Sequence, residues 1–130
     1  MGVPAAKLGD KVVGSDTHII MVPSPTGPVP TPTPMPFAGT IANGCSTDVL
    51  IEGKPAAVVG SVAVNAPPHV PTGGPFQTPP NNQGTIIAGS PLVLINGKPA
   101  ARHGDKVNTC NDPAPLPAGS IVATGQVLLG

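Results

Sequence analysis

The stretch VLINGKPAA, residues 93–101, decides the fold of this chain. An apolar run leads into Asn96-Gly97, and this dipeptide favours a two-residue β-hairpin turn because both turn positions need positive φ. Residues 49–57, VLIEGKPAA, repeat the pattern with Glu52-Gly53 at the turn. The proline after each turn cannot donate a ladder hydrogen bond, so we expect it at a strand start or a sheet edge.

A third copy of this element is divided between the two ends of the chain. Residues 127–130 carry its apolar run and residues 2–6 carry its proline and alanines, while a Gly-Thr/Ser-Ile triplet precedes the runs at 39–41, 84–86 and 119–121. Such internal repeats set the architecture. They predict a single all-β domain, 1–130, with circularly permuted, pseudo-threefold repeat units at about 39–83, 84–118 and 119–130 plus 1–38.

Two further expectations follow from the repeat pattern. Gly130 should lie near Met1, because the divided copy must close on itself. Almost no helix is expected, since no segment of ten or more residues combines helical periodicity with freedom from proline and glycine.

The composition excludes several function classes. Only 9% of residues are charged and the formal net charge is zero, so nucleic acid and anionic membranes are not expected partners. The 17 glycines and 20 prolines suggest disorder, but 39% hydrophobic residues and the lack of net charge oppose it. With two aromatic residues the core is thin, and such a chain needs a metal or a partner to stabilise it.

The sequence predicts neither a membrane span nor a secretory signal peptide. The sequence contains no apolar run of about 18 residues, so stable membrane insertion is not expected. The first residues do not resemble a signal peptide. We therefore expect a cytoplasmic protein. The proline-rich segment 23–36 is either a polyproline linker or a stiff wall of the domain. Residues 70–75 repeat part of its sequence pattern, which favours the wall.

All three histidines and one of the two cysteines fall on the repeat. His18 and His69 each lie fourteen residues after a motif proline, while Cys110 and His103 belong to the third copy. Four nitrogen and sulfur ligands complete a closed tetrahedral zinc site. The alternatives are histidines buried in the core or at the surface, and a buried thiol at Cys110. Cys45 has no counterpart in the repeat and is expected to be a free thiol.

The sequence Pro99-Ala100-Ala101-Arg102, continued by His103, resembles the PAAR-repeat family, and residues 4–10 and 55–60 are weaker copies. The resemblance covers essentially the whole chain. It implies a small β cone with one zinc ion near its tip, held by three histidines and a cysteine: His18, His69, His103 and Cys110. This chain departs from a strict repeat in the first two copies. Leu8 and Val59 stand where the third copy has His103, and Val58 stands where it has Arg102.

The resemblance also implies a function. Similar proteins cap the trimeric VgrG-like spike of contractile injection machines such as the type VI secretion system, one tip per trimer. We expect a non-enzymatic protein that is monomeric on its own and is delivered with the apparatus after firing. Its termini are the expected attachment points for an effector. A zinc hydrolase is the alternative, and it would need an open coordination position. A disordered proline-rich adaptor is a third hypothesis.

Overall fold

The computed structural model describes residues 2–130, and this part of the chain is all β with no helix. It therefore has no long apolar helix that could cross a membrane. The twelve strands are β1 Val3–Pro4, β2 Lys11–Val22, β3 Val29–Asn43, β4 Leu50–Ile51, β5 Lys54–Pro55, β6 Val62–Asn65, β7 Gln83–Ile86, β8 Leu94–Ile95, β9 Lys98–Pro99, β10 Lys106–Thr109, β11 Leu116–Val122 and β12 Leu128–Leu129.

Three short hairpins correspond to the three sequence copies. Strand β4 pairs with β5, β8 with β9, and β12 with β1, each placing a leucine opposite a proline: Leu50 with Pro55, Leu94 with Pro99 and Leu128 with Pro4. The third hairpin thus joins the two ends of the chain, as the permuted repeat predicts. Gly2 packs on Leu129, whereas the expected neighbour of Gly130, Met1, lies outside the described residues.

The turns of the two continuous hairpins have the backbone conformation that their sequences predict. Asn96 and Gly97 have φ values of 53° and 77°, and Glu52 and Gly53 have values of 52° and 82°. Positive φ at both turn residues matches the right-handed twist of the strands. Glutamate tolerates this region less readily than asparagine, so Asn96-Gly97 is the better turn.

A cyclic set of backbone hydrogen bonds joins the three motif copies. The Ala6 amide donates to Ala101, the Ala101 amide to Ala57 and the Ala57 amide to Ala6, at 2.9–3.0 Å. All three alanines are fully buried. Three chain segments approach one axis here, and a larger side chain would separate them. We call the three hairpins together with this alanine ring the base.

The turn after each ring alanine is closed by a side chain four residues after that alanine. Asp105 accepts from the Arg102 amide and pairs with its guanidinium at 2.9 Å, and Asp10 binds Lys7 in the same way. In the remaining copy, Ser61 Oγ accepts from the amide of Val58. The cation is therefore missing where the carboxylate is also missing, and Arg102 pairs with the carboxylate of its own turn.

Six strands in the order β10-β11-β2-β3-β6-β7 form a closed barrel above the base. Phe37 fills its interior and is 1% exposed. A side-chain carbon added at Gly39 would lie 2.6 Å from the Phe37 ring, and one added at Gly84 would lie 3.2 Å from it. The glycines of the Gly-Thr-Ile triplets therefore leave the space that this aromatic side chain occupies.

The proline-rich segment is a strand and not a linker. Strand β3 pairs with β2 along the whole of β2, from Lys11 opposite Thr40 to Val22 opposite Val29. The prolines at alternate positions 30, 32, 34 and 36 lie opposite the odd-numbered residues of β2 from Met21 to Ser15. This supports the interpretation of residues 23–36 as a wall of the domain.

The spacing of these prolines protects a sheet edge. Thr17, Ile19 and Met21 direct their amides away from β3, so the prolines opposite them face the outer edge of β3. That edge therefore offers no N–H group between Pro30 and Pro36. An edge without donors is a poor template for another strand.

Replacing Pro32 and Pro34 together by threonine is expected to restore two outward amides and to promote self-association through the β3 edge. The matched control is the Pro23→Thr/Pro25→Thr double variant, which removes two prolines from the exposed turn before β3. Light scattering during incubation at 37 °C measures the effect. Equal scattering from both variants would contradict the edge-protection argument.

Candidate metal centre

Four potential ligand residues meet inside the end of the barrel farthest from the base. Asp16 and His18 are two residues apart in β2, so they point to the same, inward face. His69 lies in the loop after β6, and Cys110 follows β10 directly. One donor atom from each of the four residues lies within 4.8 Å of all the others.

The carboxylate of Asp16 is at the centre of this cluster. Its Oδ2 atom lies 2.9 Å from His69 Nε2, 3.3 Å from Cys110 Sγ and 3.9 Å from His18 Nε2. Cys110 Sγ is 3.8 Å from His18 Nε2. The four donors therefore converge on one small volume and not on separate partners.

These separations fit one tetrahedral ion. Zinc bonds of about 2.0–2.3 Å place tetrahedral donor atoms roughly 3.3–3.6 Å apart. The contacts between 2.9 and 3.9 Å bracket that spacing. Two buried atoms of the cluster, Asp16 Oδ1 and His18 Nδ1, have no hydrogen-bond partner among the described residues. The converging atoms are one carboxylate oxygen, two imidazole nitrogens and one sulfur, and zinc binds all three of these donor types, so the donor set fits such an ion.

Burial sets the protonation of the free cluster. Asp16 is fully buried and His18 is 1% exposed. Burial, and next the Asp16 carboxylate, raise the pKa of the Cys110 thiol to about 11. Burial and the nearby His69 lower the pKa of His18, which keeps its ring neutral. Metal binding must therefore displace the thiol proton, because the thiolate is the ligand form.

The residues after Cys110 hold the cluster in place. Asn111 Oδ1 accepts from the Thr17 amide and Asp112 Oδ2 from the Ile19 amide, both at 2.8 Å. The same Asp112 oxygen lies 3.7 Å from His18 Nδ1. The Asp112 carboxylate therefore lies beside the far nitrogen of His18 without a direct hydrogen bond to it. This loop thus ties Cys110 to the strand that carries Asp16 and His18.

The second histidine is oriented from another direction. Asn65, the last residue of β6, places its side-chain nitrogen 3.4 Å from His69 Nδ1, and Asn82 Oδ1 accepts from the His69 amide at 2.8 Å. The rings of His18 and His69 are 4.9 Å apart, centre to centre. Both Nε2 atoms therefore face the carboxylate of Asp16.

The structure does not place His103 with the other expected ligands. It is exposed, its amide donates to Pro4 in the base, and its Nδ1 accepts from the Ala123 amide at 3.2 Å. The next residue, Gly104, bonds to Ile121, which lies opposite Val12 on β2. Val12 precedes Asp16 by four strand residues, or about 13 Å. His103 and the cluster lie at opposite ends of the barrel.

Asp16 is the residue of this cluster that the sequence interpretation did not include. It has no counterpart in the repeat, so the repeat spacing does not group it with the histidines and Cys110. The two-residue spacing from His18 within a strand was the usable signal, because it places both side chains on one face. Cys45 lies outside the cluster as a free, partly buried thiol.

Comparison with known proteins agrees with this architecture. The family model described as PAAR motif matches residues 31–113 and, in a second match, residues 76–127. None of the curated proteins compared matches the chain. The matches span most of the chain and include two of the three motif copies that form the alanine ring, so the chain belongs to the PAAR-motif family.

Proposed function

We propose that this protein is the tip of a trimeric injection spike, with one chain capping each VgrG-like trimer. The threefold repetition within the base carries the proposal. A single chain matches a threefold-symmetric surface only if it presents three similar faces, and three hairpins around one hydrogen-bonded ring supply them. Membership of the PAAR-motif family supports the same role.

The base offers a docking surface with the required symmetry. The hairpin leucines Leu50, Leu94 and Leu128 are 59%, 63% and 57% exposed. Their neighbours Ile51 and Ile95 are buried in the core of the base, as alternation along a strand requires. Three equally exposed apolar side chains at equivalent positions are suited to a partner that repeats its own surface three times.

We propose zinc as the ion of the metal centre, held by His18, His69 and Cys110. When bound, zinc would stabilise the fold without needing a large core. The chain itself supplies the remaining rigidity through the barrel, the paired prolines of β3 and the loop that ties Cys110 to β2. A rigid end is what a puncturing tip requires, and the four donors of the cluster, Asp16 included, disfavour hydrolytic chemistry, which needs an open position.

The proposed role includes a sequence of locations. The tip assembles on its spike in the cytoplasm and leaves with the apparatus on firing, in a type VI secretion machine or a related contractile particle. The two ends of the chain, which meet at the third hairpin, are the proposed attachment points for an effector. On its own the protein is expected to be a monomer.

Mixing the purified chain with a trimeric VgrG-like spike protein tests the proposal. Size-exclusion chromatography with light scattering should give a complex of one chain with three spike subunits. Three chains per trimer, or no complex at micromolar concentrations, would contradict the capping role.

A further inference from the structure

We infer that Asp16 is the fourth ligand of the metal centre, in the place that the family resemblance assigns to His103. The donor set is then two nitrogens, one sulfur and one oxygen. This inference rests on the proposed metal site and deepens it. It does not depend on which partner the base binds.

The contacts of Asp16 are those of a ligand and not of a simple ion pair. An aspartate that only oriented His69 would need the one contact of 2.9 Å to Nε2. The same oxygen also lies 3.3 Å from the Cys110 sulfur and 3.9 Å from the second imidazole nitrogen. One oxygen facing three other donors is a corner of a shared coordination site.

The charge of the buried site favours the same assignment. Two neutral histidines with one thiolate would leave a divalent ion with a net positive charge inside the barrel, and a third neutral histidine would not change that. The Asp16 carboxylate makes the loaded site neutral. A buried net charge is costly to desolvate, and Asp16 itself is fully buried.

The position of His103 removes the competing ligand. Its ring nitrogen accepts from the Ala123 amide, and its backbone belongs to the base. Bringing it to Asp16 would require β10 to leave the barrel, because Cys110 and His103 lie at opposite ends of that strand. A local side-chain rotation cannot span that distance.

Zinc affinity of two variants tests the inference through competition with a chromophoric chelator. Asp16→Asn preserves the shape and removes the anionic oxygen, and its zinc dissociation constant should rise by more than about 100-fold, beyond the usual effect of a second-shell change. His103→Ala is the matched control and should keep the wild-type affinity. Wild-type affinity in Asp16→Asn, or zinc loss in His103→Ala, would overturn the inference.

A measurement on the unaltered protein covers the case in which Asp16→Asn does not fold. X-ray absorption at the zinc edge of the loaded wild type counts sulfur donors and imidazole rings. The inference requires one sulfur and two imidazoles, and three imidazoles would overturn it. Neither result bears on spike binding, so failure of this inference is distinguishable from failure of the capping role.

Discussion

Replacing Cys110 with serine is expected to abolish stoichiometric zinc binding and to destabilise the fold strongly. Cys110 is the one sulfur donor of the cluster and contacts both Asp16 and His18. Without zinc the variant keeps a buried carboxylate and two histidines with no common partner. Breaking such a buried charged cluster typically costs about 3–5 kcal/mol, and losing structural zinc adds to that cost.

The physical reason is the small size of the hydrophobic core. The barrel interior is filled by one phenylalanine and short aliphatic side chains, so little apolar burial is available to offset a loss at the cluster. A loss of about 4 kcal/mol in a chain of this size lowers the melting temperature by roughly 15 °C. Calorimetry and elemental analysis of zinc per chain, on protein purified without chelator, measure both effects.

Cys45→Ser is the matched control, since it removes the only other cysteine, which lies partly buried outside the cluster. It should retain one zinc per chain and melt within a few degrees of the wild type. Full zinc content in Cys110→Ser would show that the cluster is not the binding site. Equal melting temperatures for the two variants would show that the site does not stabilise the fold.

The architecture of the base could be predicted from the sequence because it depends on local chemistry. Asn96-Gly97 and Glu52-Gly53 adopt the turns that their residue types favour, and the alanines are needed wherever three segments meet at one axis. The two halves of the divided third copy pair as β12 and β1 because they carry the same hairpin sequence as the other copies. Each turn is encoded in a short stretch of sequence, and the repetition of the motif indicates which distant segments meet.

The metal cluster could be predicted only in part because it depends on where strands begin and end. His18, His69 and Cys110 were grouped by their spacing from the repeat, and they do meet. His103 shares the motif but precedes β10, whereas Cys110 follows it, so the strand separates them. Asp16 has no repeat counterpart, and its place on the inward face becomes evident only once β2 is known to be a strand.

Changing the three hairpin leucines to aspartate, in the Leu50→Asp/Leu94→Asp/Leu128→Asp variant, is expected to abolish capping of the spike trimer. Each leucine is more than half exposed in the free chain, so the substitution removes little from its own core. Burying one such side chain at an interface contributes about 1.5–3 kcal/mol. Loss of three, with three buried charges added, should raise the dissociation constant at least about 1,000-fold.

A second triple variant separates the docking surface from general effects of surface charge. Val29→Asp/Val70→Asp/Leu116→Asp places the same number of carboxylates at exposed apolar positions outside the base. It should bind the spike trimer with wild-type affinity in surface plasmon resonance, while both variants keep bound zinc and the wild-type melting temperature. If the control lost binding and the leucine variant kept it, the chain would dock through the end that holds the metal cluster. The assignment of base and tip would then be reversed.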